Sequence, residues 1–277
     1  AHISKKVADK LEEMFNTNRE DFEAKWDDIK AFMQYGILSD EKFYDRAKKF
    51  MLLKNVENKY FTIDEYEKHI EVLQKDKNGT LVHLYTTNQE EQYSQLQAAK
   101  EKGYDVLNLN GILDMHFVNF LEQKLEKTSF SRIDADVIDK LIQKEDVLPS
   151  KLTEEEQKKL KDVFEKIADK NTFTVVLENM QDNESPICIT KPEFLRRWND
   201  MQKMMGESGG MYGMDMEKAN LTINANHPLI NTILHESDEA KAEQLSKQLL
   251  DLAMLSQQML KGEALSNFIN RSIEMMK

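Results

Sequence analysis

Apolar side chains recur at intervals of three and four in the N-terminal part of the chain, a spacing typical of amphipathic helices. The first predicted helix carries the stripe Ile3, Val7, Leu11 and Met14. A second begins near Arg19 with the predicted buried face Phe22, Trp26, Ile29 and Phe32. Gly36 would end it, since glycine favours the conformation that follows a helix C-terminus. With a third helix over residues 40–51, these segments predict a helical coil over residues 1–51.

The pattern changes over residues 52–133, where short apolar runs alternate with helical stretches. Runs at 80–85 and 106–109 predict buried strands, and the periodic segments 89–102 and 112–125 predict helices. Strand, helix, strand and helix with short connections indicate a small parallel sheet covered by helices. Thr62 and Glu65 have the spacing of a capping box, which predicts a helix start between these elements.

The stretch 134–152 is charged, contains Pro149 and shows weak periodicity, which places a domain boundary there. The first predicted domain is 1–133, with an α/β subdomain at 52–133, and the second is 134–277. In the second, Thr153 and Glu156 form another capping box. Strands are predicted at 172–177, 187–190 and 221–223. A Ser237-capped helix ending at Gly262 and a terminal helix follow, so the fold class is α/β followed by α+β with a final helical pair.

A methionine-rich segment ends the helix that begins near Glu193. Residues 201–216 hold six of the fifteen methionines and four of the nine glycines. Methionine repacks easily and glycine leaves the backbone mobile, which favours an adaptable binding surface. Core filler followed by a flexible loop remains the alternative. The residues predicted to bind a partner here are Trp198, Met201, Met204, Met205, Met211 and Met214.

The two terminal helices are apolar over a wider arc than one neighbour requires. Such helices at the end of a chain often meet another subunit, although packing within the chain is an equal alternative. The predicted self-association residues are Leu245, Leu249, Leu252, Leu255, Met259, Leu265, Phe268 and Ile269. The partner would be a second copy of the chain, and the association a homodimer.

Composition and motifs exclude several classes of function. The net charge of −12 disfavours nucleic-acid binding, and we find no apolar run of membrane-spanning length. The single cysteine, Cys188, fits a reducing, cytoplasmic compartment. The sequence shows neither a phosphate-binding glycine loop nor metal-ligand histidine spacing. We therefore predict no catalytic residues, no metal and no cofactor in this chain, and no enzyme activity of its own.

Two further classes stay open on these observations. A methionine-rich peptide- and RNA-binding module of the signal-recognition type also uses flexible methionines, although it needs a basic helix face. An enzyme with an unrecognised site is the other alternative.

Several motifs in one unbroken order resemble the ninety-kilodalton heat-shock chaperone family, from its middle domain to its C-terminal dimerisation domain. The motifs are Ile3–Lys6, Phe22–Trp26, Tyr35–Gly36, Phe61–Tyr66, Gly103–Leu107, Asp114–Leu121 and Asn226–Leu229. The chain ends without the acidic tail of cytosolic eukaryotic members, so it resembles the bacterial HtpG-type branch.

The resemblance implies a C-terminal piece of an ATP-dependent chaperone. The pocket for ATP and Mg²⁺ would lie upstream of this chain. Its partners would be unfolded client proteins, a second subunit and other chaperones, and it would act in protein folding and the stress response. A second client surface would lie on the helix 114–121 at His116, Phe117, Asn119 and Phe120, where His116 replaces a tryptophan frequent in the family.

Overall fold

The computed structural model describes residues 2–144, 148–204 and 218–277, with residues 2–4 and 199–204 described by their backbone alone. The chain divides into two compact units. The first unit runs to Asp134 and includes Lys140–Lys144, and the second holds Ala135–Asp139 and the chain from Glu145 onward. The predicted boundary between residues 133 and 134 lies next to this division.

Three helices begin the first unit. They are α1 (His2–Thr17), α2 (Arg19–Ser39) and α3 (Glu41–Ala47). The prediction that α2 ends at Gly36 is wrong, since the helix continues to Ser39 and Asp40 caps α3. A Cβ atom at Gly36 would lie 2.9 Å from the Phe43 ring, so glycine here permits close packing of α3 against α2.

A hairpin of β1 (Leu52–Lys54) and β2 (Tyr60–Thr62) follows, with the two strands antiparallel. It leads into α4 (Ile63–Ile70), whose capping box is confirmed. The Glu65 amide donates to Thr62 Oγ1 at 3.3 Å, and the Thr62 amide donates to Glu65 Oε2 at 2.8 Å. Two of the amide donors at the helix start are thereby satisfied.

The predicted small parallel sheet is confirmed, and it has a third strand. Its strands are β3 (Leu81–Thr86), β4 (Val106–Asn108) and β5 (Thr128–Arg132), in the order β4-β3-β5 and all parallel. The intervening helices are α5 (Tyr93–Glu101) and α6 (Asp114–Lys124). The core of this unit includes Phe22 and Trp26 of α2, Tyr85 of β3 and Phe117 of α6.

The second unit is mixed α and β, as predicted. The short α7 (Ile138–Leu141) spans the division between the units. The elements that follow in the second unit are α8 (Glu154–Ile167), β6 (Phe173–Glu178), β7 (Ile187–Thr190), α9 (Glu193–Met204), β8 (Ala219–Asn224), α10 (Pro228–His235), α11 (Glu239–Ser256) and α12 (Gly262–Glu274). The strand order is β6-β8-β7, with β6 parallel and β7 antiparallel to β8. Its core includes Leu160 and Phe164 of α8, Leu221 and Ile223 of β8, and Leu250 of α11.

Two predicted helix boundaries in this unit need correction. Asp238, not Ser237, caps α11, because its carboxylate accepts the amides of Ala240 and Lys241 at 3.0 and 3.3 Å. Gly262 begins α12, while α11 has already ended at Ser256. The capping box at the start of α8 is present as predicted, since Thr153 and Glu156 bond reciprocally.

Candidate functional site

The helix α9 exposes two aromatic side chains. Phe194 is 66 % and Trp198 is 44 % exposed. Residues four apart lie on the same helix face, so the two rings share one side of α9. The opposite side faces the protein, because Arg196, two positions from each ring, is buried. An exposed aromatic pair on a helix can bind apolar segments of another chain.

The predicted methionines lie at and beyond the end of this helix. Met201 and Met204 belong to the described backbone of α9. Met205, Met211 and Met214 lie outside the described residues. Phe194 was not among the residues predicted to bind a partner, although its position four residues before Trp198 places both rings on one helix face.

The second predicted client surface, on α6, is largely packed inward. Phe117 is 2 % exposed and belongs to the core of the first unit, so its ring does not lie on the surface as predicted. Phe120 is half-buried in an edge-to-face contact with Tyr44 at 4.9 Å between ring centroids. His116 is exposed and Asn119 is half-buried. Helix α6 therefore offers polar side chains at its surface and only part of one aromatic ring.

Helices α11 and α12 retain an exposed apolar surface. Leu252, Leu255 and Ile269 are exposed, each by more than two-fifths, and Ile273 adds to them. Leu252 and Leu255 are three residues apart, and Ile269 and Ile273 are four apart, so each pair lies on one helix face.

The other predicted self-association residues are less exposed. Leu245, Met259 and Leu265 are half-buried. Leu249 and Phe268 are buried within the chain, so their prediction as surface contacts is corrected. Leu249 packs in the core of the second unit, whereas Phe268 is the buried residue of α12.

Helix α2 has a further exposed apolar patch, which was not predicted from the sequence. Phe32 is 79 % exposed, so its prediction as a buried residue of α2 is wrong. The buried stripe is Phe22, Trp26, Met33 and Ile37. Because the helix has 3.6 residues per turn, the inward face passes through Met33, one position after Phe32. Tyr35 is also exposed, three residues from Phe32.

His83 and Cys188 are two interior titratable groups whose environments favour their neutral forms. Burial lowers the pKa of His83 to about 4, and its ring stacks on Phe130 at 4.6 Å between centroids. Burial, together with the charges of Asp136 and Glu184, raises the pKa of the Cys188 thiol to about 12, so the reactive thiolate is disfavoured. Within residues 2–144, 148–204 and 218–277, the structure shows no group of three or more His, Cys, Asp or Glu side chains placed to hold a metal ion.

Comparison with known proteins identifies the family. The model of the Hsp90 protein family matches residues 1–277. The chaperone protein HtpG of Bacteroides thetaiotaomicron is 36 % identical, over 99 % of this chain and 50 % of the relative. That of Porphyromonas gingivalis is 43 % identical, over 89 % of this chain and 36 % of the relative. The chain belongs to the Hsp90 family, in which its relatives are bacterial HtpG chaperones.

The chain spans about half the length, or less, of the curated relatives it matches. The HtpG protein of Bacillus subtilis is more distant, at 26 % identity over 88 % of this chain. Among the helices in the described part of the chain, none is both long and apolar enough to cross a membrane.

Proposed function

We propose that this chain is the self-associating and client-binding part of an Hsp90-type chaperone. The observation that carries the proposal is the exposure of two apolar surfaces in the second unit. Phe194 and Trp198 project from α9, and Leu252, Leu255 and Ile269 project from the final helices. Surfaces of this kind are uncommon on monomeric proteins unless a partner uses them.

The two surfaces receive different partners in this proposal. The pair α11 and α12 meets the same pair of a second copy, because helix faces joined by a two-fold axis are self-complementary. The helix α9 receives non-native clients, whose exposed apolar segments vary in sequence. Phe194 and Trp198 begin this client surface, and the predicted residues Met201, Met204, Met205, Met211 and Met214 extend it with adaptable side chains.

The α6 surface has a smaller role in the proposal. His116 and Asn119 contribute polar contacts to a client, and Phe120 contributes the accessible part of its ring. Phe117 is left out, because its side chain is already buried in the first unit.

The chemistry of ATP hydrolysis, with Mg²⁺, is assigned to the part of the longer relatives that this chain does not span. This chain acts by binding, makes and breaks no bond, and works in the cytoplasm beside other chaperones. The alternative of an RNA-binding methionine-rich module is less favoured, because the net charge is −12 and basic side chains are what displace phosphate counterions.

The double variant Phe194→Ser/Trp198→Ser tests the client surface. Each aromatic ring buried on binding contributes about 1.5–3 kcal/mol, so we expect at least a ten-fold weaker affinity for a permanently unfolded model protein. The measurement is fluorescence anisotropy of the labelled client, with circular dichroism to show that the helix content is unchanged.

Tyr93→Ser is the matched control, since Tyr93 is an aromatic residue of the first unit with 61 % exposure. Its affinity for the client should equal that of the unmutated chain. An unchanged affinity of the Phe194→Ser/Trp198→Ser variant would remove α9 from the client surface.

A further inference from the structure

A polar network joins α11 and α12 beside their exposed apolar residues. Arg271 Nη2 forms an ion pair with Asp251 Oδ2, and the two side chains are 14 % and 11 % exposed. Arg271 Nε donates to Gln248 Oε1 at 2.8 Å, and Gln248 Nε2 donates to Ser272 Oγ at 2.8 Å. Two side chains of α11 are therefore bonded to two neighbouring side chains of α12.

Helix α12 has little else to fix its rotation. All of α12 is described, and Phe268 is its one buried residue. The Arg271 guanidinium lies over this ring, 6.0 Å from its centroid, so the network and the apolar anchor share one face of the helix. One buried ring and the half-buried Leu265 constrain rotation of the helix only weakly, whereas bonds from Arg271 and Ser272 to α11 oppose that rotation.

The exposed apolar residues lie on the face next to this contact. Successive helical residues are about 100° apart, so Ile269 and Ile273 lie roughly a quarter turn from the face that carries Phe268 and Ser272. On α11, Leu252 and Leu255 are within four residues of Asp251. A small rotation of α12 would move Ile269 and Ile273 relative to Leu252 and Leu255.

We propose that Arg271 and Asp251 are positioning residues for self-association, which hold the faces of α11 and α12 in the one arrangement that a second copy of this chain complements. This inference rests on the proposed homodimer. A largely buried charge pair of this kind is a poor source of stability, but it favours one geometry, because the planar, forked hydrogen bonds of the guanidinium form in one orientation.

The double variant Asp251→Leu/Arg271→Met separates positioning from stability. It replaces the ion pair by apolar side chains of similar length, a change that commonly leaves a folded chain equally stable. We expect the urea midpoint of the dilute monomer to be unchanged and the dimer dissociation constant to rise at least ten-fold, which is about 1.4 kcal/mol. Sedimentation equilibrium over a concentration series measures the constant.

Arg271→Lys gives an independent result if the double variant fails to fold. Lysine keeps the charge but lacks the fork that reaches both Asp251 and Gln248, so the dissociation constant should rise at least three-fold with the fold intact. Glu274→Gln is the control, because Glu274 pairs with Lys277 in the exposed last turn of α12. Its dissociation constant should stay within two-fold of the unmutated value.

The possible outcomes separate this inference from the proposed dimer. A monomeric unmutated chain would overturn both. A dimeric unmutated chain whose folded Asp251→Leu/Arg271→Met or Arg271→Lys variant associates with an unchanged constant would overturn the positioning role alone. If the urea midpoint and the strength of association fall together, the Asp251–Arg271 pair stabilises the fold, and the positioning role is also overturned.

Discussion

Helix α6 of the first unit and helix α11 of the second have comparable apolar content but use it differently. In α6, Phe117, Val118 and Leu121 are buried within the unit, and its one other aromatic ring is half-covered. In α11, Leu249 and Leu250 are buried, while Leu252 and Leu255 stay exposed. Helix α6 therefore packs most of its apolar side chains within its own unit, whereas α11 leaves two large apolar side chains exposed. The contrast between the two helices predicts that substitutions in α6 change stability, whereas substitutions at the exposed residues of α11 change association.

The largest effect is expected from truncating the buried ring of α6. Phe117→Ala should lower the free energy of unfolding of the first unit by about 3–5 kcal/mol, because it removes a buried ring and leaves a cavity. Urea unfolding followed by Trp26 fluorescence measures it, in a Trp198→Phe background so that one tryptophan reports. Phe32→Ala is the control on α2 and should change the same quantity by no more than about 0.5 kcal/mol, because its ring is exposed. A small effect of Phe117→Ala would mean that α6 is not fixed by this core.

The double variant Leu252→Glu/Ile269→Glu should separate the subunits while the chain stays folded. Both side chains are exposed in the protomer, so charges there remain hydrated until a partner covers them. We expect the dissociation constant of the dimer to rise at least ~100-fold, since each covered side chain contributes about 1.5–3 kcal/mol. Light scattering over a dilution series gives the constant. Val72→Glu, at a more exposed apolar residue of the first unit, should leave the dissociation constant unchanged.

The buried His83 should make the stability of the first unit sensitive to acid. Its pKa is about 4 in the folded state against 6.5 ordinarily, so the unfolded chain binds the proton first as the pH falls. The contribution of neutral His83 to the free energy of unfolding is present in full above pH 6.5. It is lost as the pH falls from there to about 4, and the total loss is about 3 kcal/mol. The difference between the unmutated chain and His83→Leu, measured by urea unfolding at each pH with Trp26 as probe, isolates this group. Parallel pH profiles for the two proteins would contradict the assignment.

Substitutions in the two capping boxes should change the free energy of unfolding least. Because each unit has one box, the two variants compare the units directly. Thr153→Ala removes the hydroxyl that accepts the Glu156 amide and should cost about 1 kcal/mol. Thr62→Ala should cost as much or more, because Glu65 of that box is also bonded to Arg19 at 2.8 and 3.0 Å. Thermal unfolding with unit-specific tryptophan fluorescence measures both. Equal effects on both units from either variant would show that they unfold together.

Features set by a few neighbouring residues were predictable from the sequence. Both capping boxes follow from a Thr and a Glu three positions apart, and the parallel sheet follows from apolar runs separated by helices. Strand β5 was missed, because Phe130 is the one large apolar residue in Thr128–Arg132 and the strand is defined by pairing with β3. The hairpin of β1 and β2 was missed for a similar reason, since each strand has three residues.

The candidate site was harder to predict, because exposure depends on what packs against a helix. Phe117 and Phe32 have the same side chain, and only the assembled first unit distinguishes the buried ring from the exposed one. Phe268 was predicted at a subunit contact, but it is buried within the chain. The network of Arg271, Asp251 and Gln248 joins residues twenty or more positions apart on two helices, and the periodicity within one helix does not predict such contacts.

The mass of the unmutated chain in solution tests the central claim most directly. Sedimentation equilibrium at micromolar concentration should give a particle of twice the 32.4 kDa chain mass, dissociating on dilution to a folded monomer. The exposed residues of α11 and α12 would then have the partner that their exposure implies. A mass of 32.4 kDa at every concentration up to the highest soluble one would contradict the account.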